Sequence, residues 1–130
     1  MFKKVCACIA LLTLAGCAST QDDAAIALAK SRAAAINNKA PYDTVGEYRI
    51  MKAKARENTV EITILYGGGG KVPPSIAVKN AAVNYCASNE LSPLVNEGVN
   101  YNIVVMDMRG RTMAEQPVYA DYCTNLEQAQ

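Results

Sequence analysis

The sequence predicts an α+β domain: a mainly antiparallel sheet of four to five strands, with helices packed on one face and one disulfide. Three observations carry that expectation. Two Ala-rich stretches have helical spacing, and four short stretches have strand character, two of them with clean alternation of apolar and polar residues. Two of the 5 cysteines, Cys86 and Cys123, sit where one bridge can join a helix to the end of the chain.

At 130 residues the chain suits one compact domain. Lys+Arg 13 against Asp+Glu 12 gives no long-range attraction for nucleic acid, which is therefore not expected as a partner. The absence of His removes Ser-His-Asp and Cys-His catalysis and every His-containing metal site. A mean hydropathy of +0.01 is too low for a multi-span membrane protein.

Residues 1–16 read as a signal peptide. Lys3 and Lys4 form its basic head, and Val5 to Leu14 form an apolar stretch too short to cross the roughly 30 Å of a bilayer core. It ends in Leu14-Ala15-Gly16-Cys17, which resembles the lipobox of bacterial lipoproteins. That resemblance implies cleavage before Cys17 and acylation of Cys17, and Ala18-Ser19, in place of an Asp just after the cysteine, implies the outer membrane. Two or more acyl chains anchor stably where one is marginal. Loss of Lys3 and Lys4 leaves the mature chain slightly acidic, with no basic patch expected for anionic lipid.

Residues 17–24 form the expected lipidated tether, and 25–130 the domain. Thr20 and Asp23 have the spacing of a capping box, and the helix that follows shows Ile26, Ala29, Ala33 and Ile36 on one face, widened by Ala25 and Leu28. A stripe this rich in alanine lets a helix approach a sheet closely. Asn37 to Thr44 read as a loop.

Glu47–Arg56 and Thr59–Tyr66 read as strands joined by a tight turn at Glu57-Asn58. The second carries Val60, Ile62, Ile64 and Tyr66 on one side. In the first, unbroken alternation puts Lys52, Lys54 and Arg56 on the same side as Tyr48 and Ile50. Gly67–Gly70 followed by Lys71 lack the spacing and the Ser or Thr of a phosphate loop, so they read as a connector. Pro73-Pro74-Ser75 open a second helix whose buried face is expected to carry Ile76, Val83 and Cys86.

Leu91, Leu94 and Val95 fit a short helix or turn over the end of the sheet. Val99, Tyr101, Ile103 and Val105 then alternate in the clearest strand of the chain. Arg109-Gly110 suits a hairpin turn, and Pro117 marks the last strand as an edge. Asp121–Glu127 read as a terminal helix or turn returning Cys123 to Cys86. In an oxidising compartment a structural bridge is expected, contributing roughly 3.8 kcal/mol by loop entropy before strain. No acid pair, nucleophile–base pair or metal-ligand spacing appears, so neither an enzyme nor a cofactor is expected.

The run Asn96-Glu97-Gly98-Val99-Asn100-Tyr101-Asn102-Ile103, with the helix ending Tyr85-Cys86-Ala87 and a last Cys123, resembles the beta-type pilotins of type II secretion systems. These are small α/β outer-membrane lipoproteins. The resemblance implies a partner in place of a substrate: the C-terminal helical segment of the secretin, escorted to the outer membrane by the lipoprotein sorting machinery. A groove between the first helix and the sheet, using Ile26, Leu28, Ile36, Tyr48 and Ile50, is the expected contact surface. The alternative is another small envelope lipoprotein, such as an outer-membrane assembly subunit or a periplasmic lysozyme inhibitor.

Overall fold

The computed structural model describes residues 20–128. The signal peptide, Cys17 and the start of the tether lie outside them. The elements run α1 (Thr20–Lys39), β1 (Tyr48–Arg56), β2 (Thr59–Tyr66), α2 (Pro74–Ala87), α3 (Ser92–Asn96), β3 (Asn100–Met106), β4 (Thr112–Val118) and α4 (Ala120–Gln128). The helix α1 therefore takes in residues 20–24, which the sequence assigns to the tether.

The four strands stand in chain order, β1-β2-β3-β4. The outer pairs are antiparallel hairpins, and β2 pairs with β3 in parallel. The parallel pair follows from the connection: a crossover through α2 and α3 returns the chain to the end of the sheet where β2 began. The sheet is thus mixed, antiparallel in two of its three pairings. Pro117 lies in β4, an edge strand, where its missing N–H costs no ladder bond to a further strand.

One face of the sheet carries the core. Val60 and Ile62 of β2, Tyr101, Ile103 and Val105 of β3, and Val118 of β4 are all essentially inaccessible. Helix α1 covers β1 and β2 with Ala25, Ala29, Ala33 and Ile36, each 5% exposed or less. The buried stripe thus begins at Ala25, with Ile26 half-buried on its flank. Helix α2 lies over β3 and β4. Its buried residues are Val78 and Ala82, whereas Ile76 and Val83 are 45% and 40% exposed. The face expected from Ile76 and Val83 is therefore corrected. The small side chain of the fully buried Ala82 lets α2 sit close to the sheet, and Tyr85 packs on Tyr101 with ring centroids 5.2 Å apart.

Strand β1 departs from simple alternation. Ile50 pairs with Ile64, but Lys52 pairs with Thr63, which leaves Met51 as a bulge. One extra residue reverses every side chain after it. Ala53 and Ala55 consequently face the helices, and Lys52, Lys54 and Arg56 turn to the opposite, open face. They do not share a side with Tyr48 and Ile50, as unbroken alternation requires.

Cys86 at the end of α2 is bridged to Cys123 in α4, with Cα atoms 5.3 Å apart across 37 residues of sequence. The bridge holds the short α4, which contributes no fully buried residue, against the body of the domain.

Candidate functional site

Helix α1 stops before the sheet does. Near its C-terminal end, Asn37 is bonded to Ala53, in the middle of β1, so the helix stops short of the Tyr48 end of β1 and the Tyr66 end of β2, whose Tyr48, Ile50, Ile64 and Tyr66 are only partly buried. The chain then folds back along β1. The N–H of Tyr42 donates to the carbonyl of Ile50 at 3.0 Å, and Val45 and Tyr48 exchange backbone bonds of 2.8 and 3.1 Å. Gly46, with φ of 60°, makes the reversal without the strain a Cβ brings.

The Gly67–Gly70 segment bounds the same end. The N–H of Gly67 donates to the carbonyl of Glu47 at 2.9 Å, and the N–H of Gly70 donates to the Tyr66 hydroxyl at 3.1 Å. The Tyr48 hydroxyl donates to the carbonyl of Val72 at 2.5 Å. The two rings stack with centroids 4.7 Å apart. A pair of stacked phenols thus clips the glycine loop over the end of the sheet, and the loop becomes one wall of a groove.

The opposite wall is α2, which presents Ala77, Ala81, Asn80, Asn84 and Tyr85. Ile50, Ile64 and Val105 form the floor. The space has a volume of ≈ 780 Å³ and its lining is mainly apolar. The charged residues of the lining are Asp43, Glu47, Arg49 and, on the loop, Lys71. The small Ala77 and Ala81 keep the groove wide, because longer side chains on that face of α2 would reach across it.

Chemically the groove is suited to grip an apolar surface. Burial, then the neighbouring Tyr101, pushes the Tyr85 phenol up to about 12. Burial and the adjoining Tyr66 also raise Tyr48 above the usual phenol value. Both stay neutral at ordinary pH, and the Tyr48 hydroxyl uses its proton to donate to Val72. Among the described residues no group of three or more His, Cys, Asp or Glu is placed to hold a metal ion.

The contact residues expected from sequence divide between two places. Tyr48 and Ile50 line the groove. Ile36 is 4% exposed and part of the core under α1, Leu28 is half-buried against that core, and Ile26 is half-buried on the helix flank. This apolar groove lies beyond the C-terminal end of α1, and of the five expected contacts only Tyr48 and Ile50 line it. Sequence reasoning missed Tyr42, Ile64, Ala77, Ala81, Tyr85 and Val105 as lining residues. One signal was available: the apolar face of β2 continues to Tyr66, while the stripe on α1 ends at Ile36.

Residues 21–123 match the family described as Type II secretion system (T2SS) pilotin, S protein. Lipoprotein YghG of Escherichia coli K12 is 31% identical over 98 residues, covering 74% of this chain and 71% of that one. Pilotin AspS 2 of an enterotoxigenic E. coli strain is similar to the same extent, 31% over 98 residues. Among solved structures, the type II secretion pilotin AspS from Vibrio cholerae superimposes with a TM-score of 0.74 at 25% identity, covering 83% of this chain and 100% of that one. On the extent of the family match and the identity to these relatives, the chain belongs to the type II secretion system pilotin S protein family.

Proposed function

We propose that the protein binds the C-terminal segment of a type II secretion secretin as an amphipathic helix, and that lipid on Cys17 directs the pair to the periplasmic face of the outer membrane. The observation that carries the reading is the apolar groove left where α1 ends short of the sheet. Two turns of an amphipathic helix offer about three or four apolar side chains along one stripe. A trough floored by Ile50, Ile64 and Val105 suits that stripe, and Asn80 and Asn84 offer amides to its polar margin. Tyr48 and Ile50 are the proposed contacts retained from the sequence; Ile26, Leu28 and Ile36 are not part of the lining.

Transport follows from the anchor. A lipidated Cys17 makes the chain a cargo of the lipoprotein sorting machinery, and a secretin segment held in the groove travels with it. Binding and delivery, with no cofactor and no chemical step, are the whole of the proposed activity. The test is made in cells lacking the chain and complemented with wild type or with Ala81→Arg, which fills the groove. Wild type is expected to return secretin multimers to the outer membrane, and A81R to leave them in the inner membrane. Correct localisation with A81R, at normal protein level, contradicts the reading.

A further inference from the structure

The Met51 bulge gathers charge that composition conceals. Lys52, Lys54 and Arg56 are exposed on alternate positions of β1, roughly 7 Å apart along the strand. They lie on the sheet face opposite the helices and the groove. We propose that this basic row docks on the anionic phospholipid headgroups of the membrane to which the chain is anchored. The inference rests on the reading of Cys17 as the lipid-bearing residue.

Four observations support it. Among the described residues the ion pairs are Arg32–Glu90 and Arg111–Asp107, so none of the three cations is engaged. Glu61 stands opposite Lys54 in the register, whereas Lys52 and Arg56 face Thr63 and Thr59. Basic side chains on an edge strand often serve to repel a further strand. Here that edge is already occupied in part, because Asn37 bonds both backbone groups of Ala53 and Tyr42 bonds the carbonyl of Ile50.

Position is the strongest of the four. The row runs toward the end of the domain where α1 begins. Asn58, two residues past Arg56, donates to the carbonyl of Gly98, and a Cβ on Gly98 would lie 3.5 Å from that of Ala25 in the first half of α1. Only Ala18 and Ser19 separate Cys17 from Thr20, where α1 starts. Lipid and basic row thus share one end of the molecule. The groove, at the Tyr48 end and on the opposite face, stays open to the periplasm when the sheet lies on the bilayer.

A single basic side chain near an anionic leaflet strengthens adsorption about fivefold. The test uses the full lipidated chain in vesicles, with lysine acetylation read by mass spectrometry. Lys52 and Lys54 are expected to react about fivefold more slowly in phosphatidylglycerol vesicles than in phosphatidylcholine vesicles. The difference should vanish at about 1 M salt, where screening acts over roughly 3 Å. Lys71 and Lys79 should react equally in both. Equal rates for Lys52 and Lys54 in the two lipids overturn the proposal, whether or not the chain is on the vesicle. The variant R56E, which keeps both lysine reporters and is checked for an intact disulfide and native circular dichroism, should show reduced protection of Lys52 and Lys54 but still bind a secretin peptide in solution. If peptide binding fails for wild type as well, the groove reading falls and the lysine result still decides this one.

Discussion

The side-chain amide of Asn37 makes both hydrogen bonds that a neighbouring strand would make to Ala53. Its Nδ2 donates to the Ala53 carbonyl and its Oδ1 accepts from the Ala53 N–H, each at 2.8 Å. The last turns of α1 are thereby fixed to the open edge of β1. This contact decides where α1 lies over the sheet, and so where the groove begins.

Asn37→Ala leaves two partly buried backbone groups without their partner. A loss of about 1–3 kcal/mol is expected in urea unfolding. Asn37→Asp is expected to be worse than conservative, because a carboxylate accepts the Ala53 N–H but repels its carbonyl. Equal stability of wild type and N37A contradicts the role given to this pair.

The disulfide is the second constraint on the groove wall, since Cys86 closes the last turn of α2. Replacing both Cys86 and Cys123 by Ala frees a 37-residue loop in the unfolded chain. The loop-entropy argument gives a loss of roughly 3.8 kcal/mol, read as a fall in the urea midpoint relative to the oxidised protein. A midpoint within error of wild type shows that the bridge does not restrain the fold.

The β3–β4 turn carries a pH signature. The Asp107 carboxylate accepts from the N–H groups of Arg111 and Arg109 and from Arg111 Nε. Chiefly through the Arg111 N–H, these bonds hold its carboxyl below the usual range. A depressed folded-state value means that the contribution is complete above the ordinary aspartate value of about 3.9 and is lost as the pH falls through the lower folded value. Asp107→Asn should therefore lower the urea midpoint at neutral pH and flatten its decline toward acid. An acid decline as steep as that of wild type assigns the pH dependence elsewhere.

Deletion of Met51 tests the bulge. With no extra residue, either Lys52, Lys54 and Arg56 turn toward the helices or Tyr48 and Ile50 leave the groove. The deletion variant is expected to be severely destabilised, in contrast to Met51→Ala, which keeps the count and should unfold cooperatively near the wild-type midpoint. A well-folded deletion variant shows that the register is set by other contacts.

Much of the architecture was legible because local and global preferences agree. Val99, Tyr101, Ile103 and Val105 alternate in sequence and are among the least exposed residues of the fold. Gly110, with φ of 81°, turns the chain where the Arg109-Gly110 pair placed the hairpin. The failures share one physical cause, that periodicity does not reveal a phase change. The Met51 bulge reverses the face of β1 without any unusual residue to announce it. Likewise Ile76 and Val83 mark an apolar stripe on α2, yet the helix buries its smaller residues because close approach to the sheet requires them. The groove was not legible for a related reason: no local signal reports how far α1 extends along the sheet. Its floor is built from β1, β2 and β3 together, a juxtaposition that exists only after the strands pair.

The central claim is tested most directly by titrating a peptide from the secretin C-terminal segment against the full chain in isothermal calorimetry, with Ala81→Arg and Leu28→Glu alongside. Saturable binding to wild type and to L28E is expected, with a loss of at least about tenfold for A81R, equivalent to about 1.4 kcal/mol, at unchanged thermal stability. Equal affinity for wild type and A81R, or loss confined to L28E, places the peptide elsewhere and contradicts the account.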